Sequence, residues 1–310
     1  MENVSRLAPE LGLVCITASD RVRFKTITRK RLLQANPEAQ TQLLRSLYSE
    51  NLKRLNKAAD FCQENGIRLF RMNSSLLPFS DAPVGEALLP EFAEFMQITG
   101  AHFQEAGIRV VLHPEQFVVL NSERADVVAN SIKSLSTHAQ VFDLLGFPQS
   151  TWALMNIHGG KGGRAPQLIE TIRNLPDNIR SRLTLENDEY TYSATDILEI
   201  CRAADVAMVF DAHHHVIHEQ VESYEHPSVA AMLMAARTTW KVPEWQLVHI
   251  SNGNQSFLDP QHSDFIRAMP SSYWNVEWIE VEAKQKENAI ARLRQEWAPG
   301  TLIEASSSPV

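Results

Sequence analysis

The stretch "RLTLENDEYTYSATDILEICRAADVAMVFDAHHH" (residues 182–215) holds two short apolar runs, "RLTLEN" (182–187) and "VAMVFD" (206–211), separated by enough chain for a helix. Strands that alternate with helices pair in parallel. The same unit recurs in both directions. Upstream lie "LGLVCIT" (11–17), "IRLFRMN" (67–73), "IRVVLH" (108–113) and "TWALMNIH" (151–158); downstream lie "WQLVHIS" (245–251) and "YWNVEWIEVE" (273–282). Helical periodicity fills the intervals, as in "TQLLRSLYSENLKRLNKAADFCQENG" and "VVANSIKSLSTHAQVFDLLG". Gly66 and Gly107 follow such stretches as helix-ending glycines do. Eight strand–helix units predict a TIM (β/α)8 barrel, with a doubly wound open sheet as the alternative. A single domain over 1–310 is expected, ordered over about 11–298 and frayed at 304–310.

A chain of 310 residues with 44% hydrophobic content can bury one large core. No apolar run approaches the roughly 20 residues of a membrane span. The start "MENVSRLAPELG" lacks the basic-then-apolar form of a signal peptide. A cytoplasmic protein with no membrane partner is the expectation, and a monomer. Cys15, Cys62 and Cys201 are too few and too scattered for a disulfide framework or a CxxC zinc site. The net charge of −8 argues against broad electrostatic binding of nucleic acid. Locally the balance differs: "RVRFKTITRKR" (21–31) carries Arg21, Arg23, Lys25, Arg29, Lys30 and Arg31 with no acid among them. It reads either as a solvated loop or as a strip facing phosphates.

Barrel enzymes place their chemistry at the C-terminal ends of the strands. The third run ends in His113, the fourth in His158, the fifth in Glu186 and the sixth in Asp211; the seventh carries His249 near its end and the eighth closes with Glu282. His214 and His262 are available from the loops after strands six and seven. Any one of these is explicable as a hydrogen-bonded core or loop residue, but six in register are not. Carboxylate oxygens with imidazole nitrogens suit manganese, iron or zinc. One ion takes four to six ligands, so eight such residues imply two or three ions, with Glu186 a natural bridge. Clusters of that kind suit phosphodiester hydrolysis. His102, His138 and His226 are expected on the surface, and His213, His215 and His218 behind the ligands or in solvent.

"RMNSSLLPF", "LHPEQF", "NIHGG", "LENDE", "FDAHHH", "HIS" and "VEAKQKE" occur in an order and spacing that resembles the ultraviolet damage endonucleases, TIM-barrel DNA-repair enzymes related to endonuclease IV. The resemblance spans about residues 11–288. It implies a manganese-dependent nuclease, with zinc, magnesium or iron as alternatives, that nicks damaged double-stranded DNA immediately 5′ to cyclobutane dimers and related photoproducts. Carried over by position, His113, His158 and Glu186 hold one ion. Glu186, Asp211, His249 and Glu282, which are also the expected catalytic set, hold a second, and His214 with His262 a third. Gln116 and Phe117 match a lesion probe, and Arg21, Arg23 and Lys25 are the expected phosphate contacts.

Three positions depart from the family. Leu247 stands where some members carry a lysine near the metals. Glu115 replaces the glycine common in "HPGQ", adding a negative charge beside the DNA, and Val14 replaces an aromatic residue of some members. The competing readings are a metal-dependent sugar isomerase or epimerase on the same barrel, and a catalytically silent binding protein. Five rim histidines and the basic first loop favour the nuclease over the first, and eight retained ligands over the second.

Overall fold

In a strand, successive side chains point to opposite faces, so residues two apart share a face. That periodicity organises the whole protein, whose computed structural model describes residues 8–297; the tail expected to fray at 304–310 lies outside them. Eight strands, β1 (Glu10–Val14), β2 (Leu69–Met72), β3 (Arg109–Leu112), β4 (Met155–His158), β5 (Leu183–Glu186), β6 (Ala207–Asp211), β7 (Leu247–Ile250) and β8 (Trp278–Val281), form a closed barrel in sequence order. Every neighbouring pair is parallel, including β1 with β8.

The helices are α1 (Arg29–Leu33), α2 (Pro37–Glu64), α3 (Pro83–Glu86), α4 (Ala93–Glu105), α5 (Ala125–Leu144) and α6 (Ala165–Arg173). They continue with α7 (Asp177–Arg180), α8 (Ala194–Ala204), α9 (Ala212–His218), α10 (Pro227–Arg237) and α11 (Lys286–Glu296). Local signals set their ends. The Asn36 side chain accepts from the Ala39 amide ahead of α2, and Ser193 with Asp196 forms a capping box on α8. Gly66 at φ 60° follows α2, where a side chain would be strained.

Outward-facing strand residues such as Phe70, Val110, Met155, Leu185, Phe210, Val248 and Ile279 pack into the layer of helices. The inward face changes character along the barrel axis. At the N-terminal end Arg109 is buried over the rings of Trp152 and Trp278, 5.0 and 5.2 Å from their centroids. It donates to the carbonyls of Thr151, Trp152 and Trp245. Leu69, Val111, Val209 and Leu247 fill the next level. Gly12 leaves room for Leu69, whose Cδ2 would lie 2.6 Å from a Cβ placed there. Above them the inward positions turn polar and titratable: Arg71, His158, Glu186, Asp211, His249 and Glu280.

In two of the expected runs a 3₁₀ turn takes up the first three residues. Thr151–Ala153 is a 3₁₀ turn because the Ser150 hydroxyl accepts from the Trp152 amide and Arg109 takes two of its carbonyls. Ser271–Asn275, after Pro270, is likewise 3₁₀. The histidine-rich segment after β6, expected as a loop, is the helix α9. No helix among the described residues is long and apolar enough to cross a membrane.

Candidate metal centre

Asp211 ends β6 and caps α9. Its Oδ1 accepts the amides of His213 and His214 at 2.6 and 2.9 Å, while Oδ2, fully buried, has no hydrogen-bond partner among the described residues. The cap starts the helix and sorts the histidines. His214 turns into the barrel mouth, with Nδ1 donating to the Asn187 carbonyl at 2.9 Å. His213 sits 3.0 Å from the Asp259 carbonyl and 2.8 Å from the Tyr224 hydroxyl, and His215 2.8 Å from Ser228 Oγ. Both are buried behind the site rather than in solvent.

Strand register brings the remaining groups level: His158 lies opposite Glu186, and Asp211 opposite His249. Three overlapping sets result, each with one ligand atom per residue and all atoms within 4.8 Å of one another: His113, His158 and Glu186; Glu186, Asp211 and His214; and Asp211, His249 and Glu282. Glu186 and Asp211 each belong to two sets. His262 stands further off, its Nδ1 3.8 Å from Glu282 Oε2, so His214 keeps company with Glu186 and Asp211 instead.

Charge is concentrated here. Burial opposes ionisation of Glu186, yet His249 and His158 hold its pKa well below the usual carboxylate range. Burial likewise works against the charged form of His214, but Asp211 and Glu186 lift its pKa to about 9. His249 is also raised well above the ordinary imidazole value, burial being outweighed first by Glu186. His158 goes the other way, lowered by burial, and its Nδ1 has no partner among the described residues. Two orphaned buried donors, one imidazole nitrogen and one carboxylate oxygen, inside a set of imidazoles and carboxylates fit a borderline divalent cation.

Sequence reasoning overlooked four residues that frame these groups. Asn156 Nδ2 donates to Glu186 Oε2 at 2.6 Å, itself oriented by Thr184. Glu189 Oε1 lies 3.4 Å from His214 Nε2. Arg71 and Glu280, both buried, face each other across β2 and β8 and touch His249. A charged residue two places before another on one strand face, as Glu280 stands to Glu282, and an arginine inside the apolar run "RLFRMN" were the available signals.

The rim around the centre is uneven. A cleft of about 360 Å³ opens over His113 and His158, bordered by Gln116, Lys161 and Glu189. A larger one of about 840 Å³ lies on the other side of residues 115–117, towards α1 and α5. Gln116 and Phe117 therefore crown a ridge between two clefts, with Phe117 65% exposed. The Glu115 carboxylate turns onto His138 Nε2 of α5, 3.3 Å away. That contact buries His138, which the sequence placed on the surface. His102 is half-buried against Asn56, and His226 is exposed.

The basic segment leaves β1 and is tied by the Ala18 and Ser19 amides to Glu287 at the start of α11. It then runs along α2, where Asn51 bonds the Lys25 backbone. Arg23 pairs with Asp20, and Lys25 Nζ lies 3.8 Å from Glu50. Arg21 pairs with Glu64 in the last turn of α2, which leads to the N-terminal end of β2, so Arg21 points away from the rim. Leu247 is buried in the apolar layer beneath His249 and offers no ligand. Val14 is likewise buried.

The family model for UV-endonuclease UvdE matches residues 9–307. A protein of Nostoc sp. named UV DNA damage endonuclease is 54% identical over 294 residues, covering 94% of this chain and 91% of its own. One of the same name from Deinococcus radiodurans is 47% identical over 297 residues, covering 95% and 97%. The crystal structure of SacUVDE superposes with a TM-score of 0.78 at 26% identity, covering 93% of this chain and 98% of that one. The chain belongs to the UV-endonuclease UvdE family.

Proposed function

We propose that this chain is a divalent-metal-dependent endonuclease that nicks the damaged strand of double-stranded DNA 5′ to UV photoproducts, namely cyclobutane dimers and 6-4 photoproducts, with abasic sites as further substrates. It acts as a cytoplasmic monomer, one domain carrying the entire site. The observation that carries this reading is the set of three overlapping ligand groups sharing Glu186 and Asp211 at the barrel rim. The names of the relatives supply the substrate class.

His113, His158, Glu186, Asp211, His214, His249 and Glu282 would hold two or three ions, with manganese the best match to an imidazole-rich set and His262 at the edge. Such ions, when bound, activate water and stabilise the attacking and leaving oxygens of a phosphodiester. The protein's own groups do the rest. Asn156 fixes the Glu186 carboxylate, and the Asn187 carbonyl fixes the His214 ring. Gln116 and Phe117 form a wedge between two clefts. A photodimer is poorly stacked and poorly paired, so extruding it costs less than extruding intact bases, and a wedge that fills the gap converts that difference into selectivity.

The test is incision of an end-labelled duplex with a single thymine dimer by pure protein with Mn2+, beside undamaged and abasic-site duplexes. One nick directly 5′ to the dimer, leaving an extendable 3′ hydroxyl, is expected. No incision, or equal cutting of undamaged DNA, would contradict the reading.

A further inference from the structure

Arg71 and Glu280 are buried beside the candidate ligands yet belong to none of the three groups. Glu280 lies two residues before Glu282 on β8, one step deeper on the same inward face. Its Oε2 is 2.6 Å from His249 Nε2. Both of its oxygens also receive Arg71, Nε at 2.9 Å and Nη2 at 2.7 Å, in a forked pairing that leaves the carboxylate little freedom. The other ring nitrogen of His249, Nδ1, faces the centre, 3.0 Å from Glu186 Oε1 and 3.6 Å from Glu282 Oε1. Arg71 Nη2 reaches a second carboxylate, Glu282 Oε1, at 2.6 Å. One guanidinium thus holds the partner of His249 and itself touches two ligands, Glu282 and, 3.0 Å from Nε2, the His249 ring.

A carboxylate on the far nitrogen of a metal-binding histidine sets its tautomer and ring orientation. We propose that Glu280 and Arg71 are positioning residues for the metal centre: Glu280 commits His249 Nε2 as a donor so that Nδ1 is presented to the ion, and Arg71 locks both Glu280 and the Glu282 carboxylate in place. The proposal rests on the metal-nuclease reading above. The simpler role, in which each residue only neutralises the other's buried charge, needs neither the contact to His249 nor the contact to Glu282.

Mn2+ titration of metal-free protein, followed by the electron paramagnetic resonance signal of free hydrated Mn2+, separates the two roles when read beside the metal-free melting temperature. Two variants are compared with the native chain, Glu280→Gln and the double variant Arg71→Met with Glu280→Gln. The double variant removes the buried guanidinium and the Glu280 charge together, so that neither is left without the other, and so guards against simple unfolding. Both are expected to weaken one Mn2+ site by about 10- to 100-fold while leaving the others unchanged, the usual cost of removing a ligand's outer partner. Native affinity at every site in a folded double variant, uniform weakening of all sites, or loss of fold in both variants would overturn the proposal. A native chain that binds no Mn2+ would instead contradict the metal-nuclease reading itself.

Discussion

Replacing Gln116 and Phe117 together by alanine probes the ridge between the two clefts. Phe117 leaves 65% of its surface in solvent and Gln116 is exposed, so neither contributes much to folding. Full burial of a phenylalanine is worth about 1.5–3 kcal/mol, and the third that is covered here about 1 kcal/mol or less. In a chain of this size that shifts the melting temperature by no more than about 2–4 °C. Stacking of an aromatic ring on a base contributes about 1–3 kcal/mol, equivalent to about 5- to 150-fold in binding. The double variant should therefore keep its fold and bound manganese, while kcat/KM on a dimer-bearing duplex falls by that factor. Melting temperature, metal content and incision rate are measured on the same preparation. A fall in melting temperature well beyond a few degrees would reveal a packing role, and an unchanged rate with intact metal would show that the ridge does not engage the lesion.

Dialysis against a chelator should abolish incision, with Mn2+ restoring it better than Mg2+, and resaturation to about 100 times the dissociation constant should stabilise the fold by about 2.7 kcal/mol in a thermal melt; full activity in excess chelator would contradict the metal role. The His214 pKa, lifted to about 9 by Asp211 and Glu186 against burial, gives stability that is complete below the unfolded imidazole value of about 6.5 and lost as pH rises through about 9. In metal-free protein the cost of His214→Gln in melting temperature should therefore be larger at pH 6 than at pH 9.5, and a reversed order would refute that charge assignment. Arg23→Ala with Lys25→Ala should weaken binding equally for damaged and intact duplex and reduce the log–log salt slope by up to about 2, read by fluorescence anisotropy. An unchanged slope would mean that Asp20 and Glu50 keep both cations from the DNA.

Periodicity carried much of the information. Residues at the ends of eight short apolar runs had to share one rim if the runs closed in parallel, which is why His113, His158, Glu186, Asp211, His249 and Glu282 could be grouped before any geometry was known. What eluded sequence reading depends on which side chain meets which across the barrel. Arg71 and Glu280 are 209 positions apart, and their pairing follows only from the closure of β8 on β1 and β2. His138 looked like a surface residue because helical spacing alone does not reveal that the Glu115 carboxylate folds down onto α5. The cap by Asp211 turned an apparent loop into α9, which settled His213 and His215 behind the site, one of the two places expected for them, and turned His214 towards Glu186 rather than His262. Arg21 shares its loop with Arg23 and Lys25 but is drawn down α2 by Glu64 and Phe61.

Anomalous diffraction at the manganese edge from crystals soaked in Mn2+ tests most directly whether these groups form one centre. Two or three peaks are predicted, one among His113, His158 and Glu186 and at least one more bounded by Asp211, with Glu186 shared between neighbouring ions. A rim without peaks, or a lone ion that leaves Glu186 and Asp211 uncoordinated, would contradict the metal centre proposed for this chain.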